Sequence, residues 1–288
     1  MTGFALGAAI AVAAAVLFAV GAVVQQEVTA GSSTGGQPDL RRLLTSPAWL
    51  GGQGATVAAV VLQVVALGLA PVSVVQPLLA GGLIVALGIR SLRDRRPPSG
   101  TELLGAALAA GGLAVFLVAA RPAALSRDHV PGPLAVLAAV LLAVALVALA
   151  GRAKEGARGA LAAGLAAGIA MGVAAVLISG ALTALSSGGL LHALTGSALW
   201  GAVVTSIAAQ VASQQAFARG SLSWSLPVLT VADPLAAVPA ARILLGESLE
   251  PGHAPVWVPA GIVAAVGVVL LARSRAGHPD PAVSGAPR

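Results

Sequence analysis

Long apolar runs alternate with short polar punctuation from one end of the chain to the other. Nine runs stand out, at about 3–24, 48–69, 71–89, 102–121, 131–150, 160–185, 195–217, 224–245 and 254–272. Each is close to the roughly 20 helical residues that cross a hydrocarbon core of about 30 Å. The strict apolar–polar alternation of an outer-membrane barrel is missing, and lipid-exposed backbone must otherwise satisfy its own hydrogen bonds. The pattern therefore predicts an all-α polytopic membrane protein with about nine transmembrane helices. The runs 48–69 and 71–89 meet almost without a loop. One helix over both would be far too long for a single crossing, so Pro71 is expected to turn the chain there. The first run lacks a basic segment before it and exceeds a signal-peptide core in length, which predicts a retained first helix. Residues 1–273 read as one transmembrane domain, and 274–288, with no apolar run, as a disordered cytoplasmic tail.

Composition sharpens this picture. Of 288 residues 58% are hydrophobic and only 9% charged, with mean hydropathy +0.95. A soluble domain carries about 25% charged residues, so that class is excluded. No cysteine is present, which removes disulfides, thiolate metal sites and a cysteine nucleophile. The net charge of +6 makes no patch of the kind nucleic acid requires, because the cations are scattered between apolar runs. With the N-terminus outside, thirteen of the basic residues fall on the cytoplasmic side, among them Arg41, Arg42, Arg90, Arg93, Arg95, Arg96, Arg152, Lys154, Arg158 and Arg219. Three (Arg121, Arg127 and Arg242) fall outside. That asymmetry predicts an N-out, C-in topology. A single lysine, Lys154, among abundant Ala and Gly suggests a GC-rich bacterial genome, hence a multi-pass protein of a bacterial plasma membrane.

Two stretches about 150 residues apart resemble each other. In LQVVALGLAPVSVVQPLLAGG (62–82) and AQVASQQAFARGSLSWSLPVLTVAD (209–233), Gln63 answers Gln210 and Pro77 answers Pro227. Each block leads on to a closing Gly/Ala-rich run, at 105–121 and 260–273. Matched spans lie five apart, an odd number, so the halves (about 1–121 and 160–273, joined by the helix at 131–150) face opposite ways. Inverted repeats of this kind build many secondary transporters.

The runs AVGAVVQQ (19–26), PAWLGG (47–52) and ALGLAPVSVVQPLL (66–79), with QQAFARGSLSWSLPVLTVADPLAAV (214–238) and LLGESL (244–249), resemble the drug/metabolite transporter (DMT) superfamily. The likeness is to its EamA-like members and to the nine-helix, NIPA-type magnesium-transporter-like branch. It covers roughly residues 4–273 and implies an inverted-repeat transporter with a central cavity, without implying magnesium. The first repeat departs from the pattern, ending in LRDRR (92–96) where a Gly-Glu pair is expected.

Charge deep in a bilayer is costly and marks function. Asp233 lies near the middle of the eighth span, beside Pro234 and between Pro227 and Pro239. Prolines remove donors and free carbonyls, so this helix is expected to kink or unwind, with Pro77, Pro227 and Pro234 as hinges. A carboxylate there can hold a proton, a monovalent cation or a cationic substrate group; hydrogen-bonded and neutral, it would serve packing alone. Ser206, Gln210, Ser213 and Gln214 share one face of the seventh span, followed by Phe217, and Gln53, Thr56 and Gln63 share an arc of the second. With Gln76 and Thr230 beside the prolines, they make up the expected substrate and coupling set; interhelical hydrogen bonding is the plainer alternative. Gln25, Gln26 and Glu27 close the first helix as a gate or a solvated end. His129, His192, His253 and His278 lack metal-ligand spacing, and Gly81, Gly82, Gly111, Gly112, Gly164, Gly168 and Gly172 read as close helix packing.

No ATP-binding, metalloprotease, hydrolase or calcium-loop motif occurs, so neither enzyme activity nor a cofactor is expected. The expected partners are the lipid bilayer and a small-molecule or ion substrate, with a homodimer left open. The leading function is a secondary transporter of a small metabolite, drug-like cation or metal ion. A NIPA-like Mg²⁺ carrier would require Glu27 or Glu102 to join Asp233, since Mg²⁺ wants octahedral oxygens. A non-transporting membrane scaffold or assembly subunit is the alternative from another class.

Overall fold

The computed structural model describes residues 2–70, 72–93, 95–120, 122–123, 130–246, 248–249 and 252–274. Pro71, Arg121, Arg127, His129 and the expected tail from 275 onward lie outside them. Eleven helices follow one another: α1 (Thr2–Ser32), α2 (Leu40–Thr45), α3 (Pro47–Leu69), α4 (Val72–Ala80), α5 (Gly82–Arg93), α6 (Gly100–Ala120), α7 (Pro133–Gly151), α8 (Ala157–Thr195), α9 (Ser197–Arg219), α10 (Leu222–Leu245) and α11 (Ala254–Ser274). Two-residue strands, β1 (Pro122–Ala123) and β2 (Ser248–Leu249), pair antiparallel after α6 and α10. Among the described residues seven helices (α1, α3, α6, α7, α8, α10 and α11) are long and apolar enough to cross a bilayer. The third expected span is divided at Gly81 into α4 and α5, each too short alone. The seventh, α9, has the length, but six polar side chains from Thr205 to Gln215 dilute its apolar character. Val57, Val61 and Val64 on α3, and Leu134, Leu137 and Leu141 on α7, are more than half exposed, the apolar exterior that lipid covers.

Local signals explain where helices begin and end. The Ser46 hydroxyl accepts from the Trp49 amide at 3.3 Å and Pro47 occupies the first turn of α3. Ser99 and Glu102 form a reciprocal capping box on α6: the Ser99 hydroxyl accepts from the Glu102 amide at 3.2 Å, and the Glu102 carboxylate accepts from the Ser99 amide at 2.7 Å. Gly246, at φ 66°, takes the left-handed conformation that ends α10. A non-helical Gly189, at φ 75°, bends α8 near its C-terminus.

Glycines decide which helices meet. A Cβ on Gly164 would stand 2.5 Å from the Val228 side chain; on Gly168, 2.6 Å from the Leu229 carbonyl oxygen and 3.0 Å from the Asp233 amide nitrogen. On Gly172 it would strike the Asp233 carbonyl oxygen. The expected small-residue ladder of α8 thus seats the backbone of α10 around Asp233. A second seam joins α6 to α11, where a Cβ on Gly112 would lie 2.6 Å from the Ala264 amide nitrogen. Gly111 departs from its expectation: it is exposed, with nothing within 4 Å. Gly82 packs against the Ala15 carbonyl of α1, whereas Gly81 is the point where the helix breaks.

Helix α10 departs from the unwinding expected of it. It runs as one helix through Pro227, Pro234 and Pro239 rather than unwinding there. Each proline removes one intrahelical donor, and α8 and α11 pack against this helix.

The two ends of the bundle differ. At one end the Glu27 carboxylate pairs with Arg93, the Gly156 amide donates to the Arg219 carbonyl at 2.9 Å, and the Trp224 indole donates to the Ala272 carbonyl at 3.0 Å. At the other, Gly7 meets Ala70, Gly180 meets Pro131, and β1 pairs with β2. The first, which carries Arg93 and Arg219, is the basic end.

Candidate functional site

A cavity of about 450 Å³ lies within the helix bundle, around the middle of α10. From α3 come Gln53, Thr56 and Gln63, from α9 Gln210, Ser213 and Phe217, and from α10 Thr230, Asp233 and Pro234. Helix α1 adds Phe18 and Gln25; leucines of α4, α5 and α6 and Met171 of α8 complete an otherwise apolar wall. Asp233 is the only ionisable residue among the described ones that line it. Its side chain is half-buried and has no hydrogen-bond or ion-pair partner among the described residues. Pro234 has no N–H, so the adjoining turn of α10 lacks the donor that would ordinarily bond the Thr230 carbonyl.

Most of the expected set therefore converges: Asp233, Gln210, Ser213, Gln63 and Thr230, with Gln53 and Thr56, share one cavity. Two described members, Ser206 and Gln214, do not join it. Ser206 is exposed on α9 one turn nearer the end opposite the basic one, where neighbouring helices no longer cover that face. Helical spacing puts it on the right face but does not say how far along the helix the cover extends. The Gln76 side chain lies outside what the structure describes. Gln214 is buried at 1% exposure but works beneath the cavity, toward the basic end.

There it is the hub of a polar network. The Thr29 hydroxyl and the Trp49 indole both donate to the Gln214 amide oxygen, at 2.7 and 3.1 Å. The Gln214 amide nitrogen donates to Gln25 at 3.0 Å, and Gln25 donates in turn to Thr56 at 3.0 Å. Gln26 adds a bond to the Gly220 carbonyl at 3.5 Å. These contacts tie α1, α3 and α9 together below the cavity floor. Helix α1 runs on to Ser32, so these residues do not close it as expected: Gln25 and Gln26 are buried in this network, while Glu27 is exposed and paired with Arg93.

Thr29, Trp49 and Arg219 were not singled out from the sequence. Arg219, fully buried at 0%, donates to the Gly151 carbonyl at 2.8 Å and to Gln215 at 3.3 Å. Gly151 ends α7, so the guanidinium sits on the negative end of that helix dipole. Gly36, at φ 69°, turns closely over it, where a Cβ would stand 3.0 Å from the Arg219 side chain. Residue type alone suggests a loop cation; only the fold reveals a cap on a neighbouring helix.

Metal chemistry finds few ligands. Among the described residues no three His, Asp or Glu side chains converge. Glu102 belongs to the α6 cap and Glu27 to the pair with Arg93, so neither of the carboxylates that Mg²⁺ would require joins Asp233.

Fold and cavity together define a polytopic α-helical membrane protein with a polar site inside its helix bundle. No family model and no solved structure matches the chain. It is similar to an uncharacterized protein of Corynebacterium glutamicum, 28% identical over 275 residues that cover 92% of this chain and 93% of that protein.

Proposed function

We propose that the protein is a secondary active transporter of the drug/metabolite transporter type, moving a small solute across a bacterial plasma membrane by alternating access. The observation that carries this reading is Asp233, a carboxylate with no partner among the described residues, in the cavity wall at mid-length of the bundle. Structural aspartates pair; one left without partners beside a cavity is available to a passing cation or proton. A scaffold subunit would have no use for such a group.

The inverted repeat with nine spans is part of the proposal, and the helix pairings support it. The contact of α1 with α3 recurs as α8 with α9, that of α1 with α4 and α5 as α8 with α10, and that of α4 with α6 as α10 with α11. Helix α9 begins beside α8 and α7 at one end and finishes at Arg219 in the basic end, the course of a crossing helix. Together α4 and α5 run from α3 to the Glu27 pair in the same way. With the basic end cytoplasmic, the Gln25–Gln214 network is the inner closure of the cavity and must open for the inward-facing state.

The test is flux into liposomes with Asp233→Asn, which keeps size and cannot ionise. We expect this variant to insert and melt like the wild type but to lose gradient-driven uptake by more than about tenfold. Normal uptake by Asp233→Asn would reduce the residue to packing. Intact protein that moves no solute in a broad screen, Mg²⁺ and protons included, would favour the scaffold.

A further inference from the structure

The proposed transport reading leaves the substrate open, and the chemistry of the cavity wall narrows it. Among the described residues the wall offers one negative group and no positive one, so an anion would enter with no counter-charge from them. A divalent ion would leave one positive charge uncompensated between mostly apolar side chains, with Glu27 and Glu102 both engaged elsewhere. A bare monovalent ion would balance Asp233 but leave most of the roughly 450 Å³ and its hydrocarbon lining uncovered. Phe18 and Phe217 place aromatic rings in the same wall, which suits a weakly hydrated organic cation. Gln210, also in the wall, has a buried side-chain nitrogen with no hydrogen-bond partner, a donor in want of an acceptor.

From these features, and resting on the transport reading for its biological sense, we infer that the cavity binds an organic monocation: a ligand with one positive charge for Asp233, an apolar body for the leucine and phenylalanine wall, and a hydrogen-bond acceptor for Gln210. Its volume suits a ligand of drug-like size. The three requirements are separable, because each is met by a different part of the ligand and a different part of the wall.

Benzoylcholine carries all three features and serves as the probe. Dimethylbutyl benzoate, in which carbon replaces the nitrogen, has the same shape without charge. Phenylbutyltrimethylammonium keeps the charge and the apolar body but lacks the ester. Titration calorimetry on the purified full chain in lipid nanodiscs should show benzoylcholine binding, with the carbon isostere weaker by at least about thirtyfold. Asp233→Asn should lose a similar factor. Gln210→Leu should weaken benzoylcholine by about fivefold and leave phenylbutyltrimethylammonium unchanged. Equal binding of cation and isostere in the wild type, which needs no variant to fold, overturns the inference. So does a failure of both quaternary ammonium probes to bind. Binding of Mg²⁺ or Na⁺ in their place would reassign the substrate to an inorganic ion and leave the transporter reading standing. Benzoylcholine that binds in this pattern but shows no counterflow in liposomes would uphold the site and remove the transport reading.

Discussion

At the scale of single residues, the two polar centres differ in whether their groups are satisfied. Asp233 has no partner among the described residues, whereas Gln214 spends both of its amide atoms on three neighbours from α1 and α3. An unsatisfied group waits for a ligand; a satisfied one holds structure. Gln214→Leu removes three hydrogen bonds at once and leaves Thr29 and the Trp49 indole buried without that acceptor. At about 0.6 kcal/mol per interhelical bond, the loss is about 2 kcal/mol. Thermal unfolding of the purified protein should therefore begin earlier. If the network is the inner closure, an impermeant reagent added from the basic side should also reach a cysteine placed at Ser213. A variant with wild-type melting and no new access would show that α1, α3 and α9 are held by packing alone.

Helices meet here largely through glycine, and one pair of adjacent residues makes the point testable. Gly112 leaves no room for a side chain at the α6–α11 seam, while Gly111 has open space around it. Gly112→Leu should prevent correct assembly, seen as aggregation on size-exclusion chromatography, and Gly111→Leu should be tolerated. Gly168→Leu, which would push against α10 beside Asp233, should behave like the former; wild-type melting would mean that α8 and α10 can separate without penalty. The α8 ladder was readable in the sequence because small residues recur every four positions, the repeat of one helix face. Most helix extents were readable too, since hydropathy and the bilayer constrain length together. The break at Gly81 and the continuity of α10 were not, because a glycine bends or packs, and a proline ends a helix or is carried within it, according to neighbours supplied from elsewhere. The same holds for the site. Gln53, Thr56, Gln63, Gln210, Ser213 and Asp233 announce themselves by polarity within apolar runs. The Thr29–Gln214 bond joins residues 185 positions apart, and no local pattern encodes it. Ser206 and Gln214 were misplaced for a related reason, since spacing defines a face but not the depth at which another helix covers it.

For the whole molecule, orientation is the property on which the transport proposal turns, and the absence of native cysteine makes it simple to measure. Cysteines at Pro97 and Ala153 should be protected from an impermeant thiol reagent in intact cells, and those at Ser187 and Thr195 labelled. The opposite pattern would invert the topology, and labelling at all four positions would break the nine-span count. The α6–α11 seam also has a consequence for biogenesis. Helix α6 is complete at Ala120, yet the helix that fills its groove begins only at Ala254. At about 5–20 residues per second, a ribosome takes on the order of ten seconds to make the chain between them. During that interval a strip of Gly105 and Gly112 backbone faces lipid, open to any other small-residue helix in the membrane. Unless the insertion machinery shields it, the nascent chain competes with its neighbours for its own last helix, and slowed translation or loss of the final segment would show first as wrong pairing at α6.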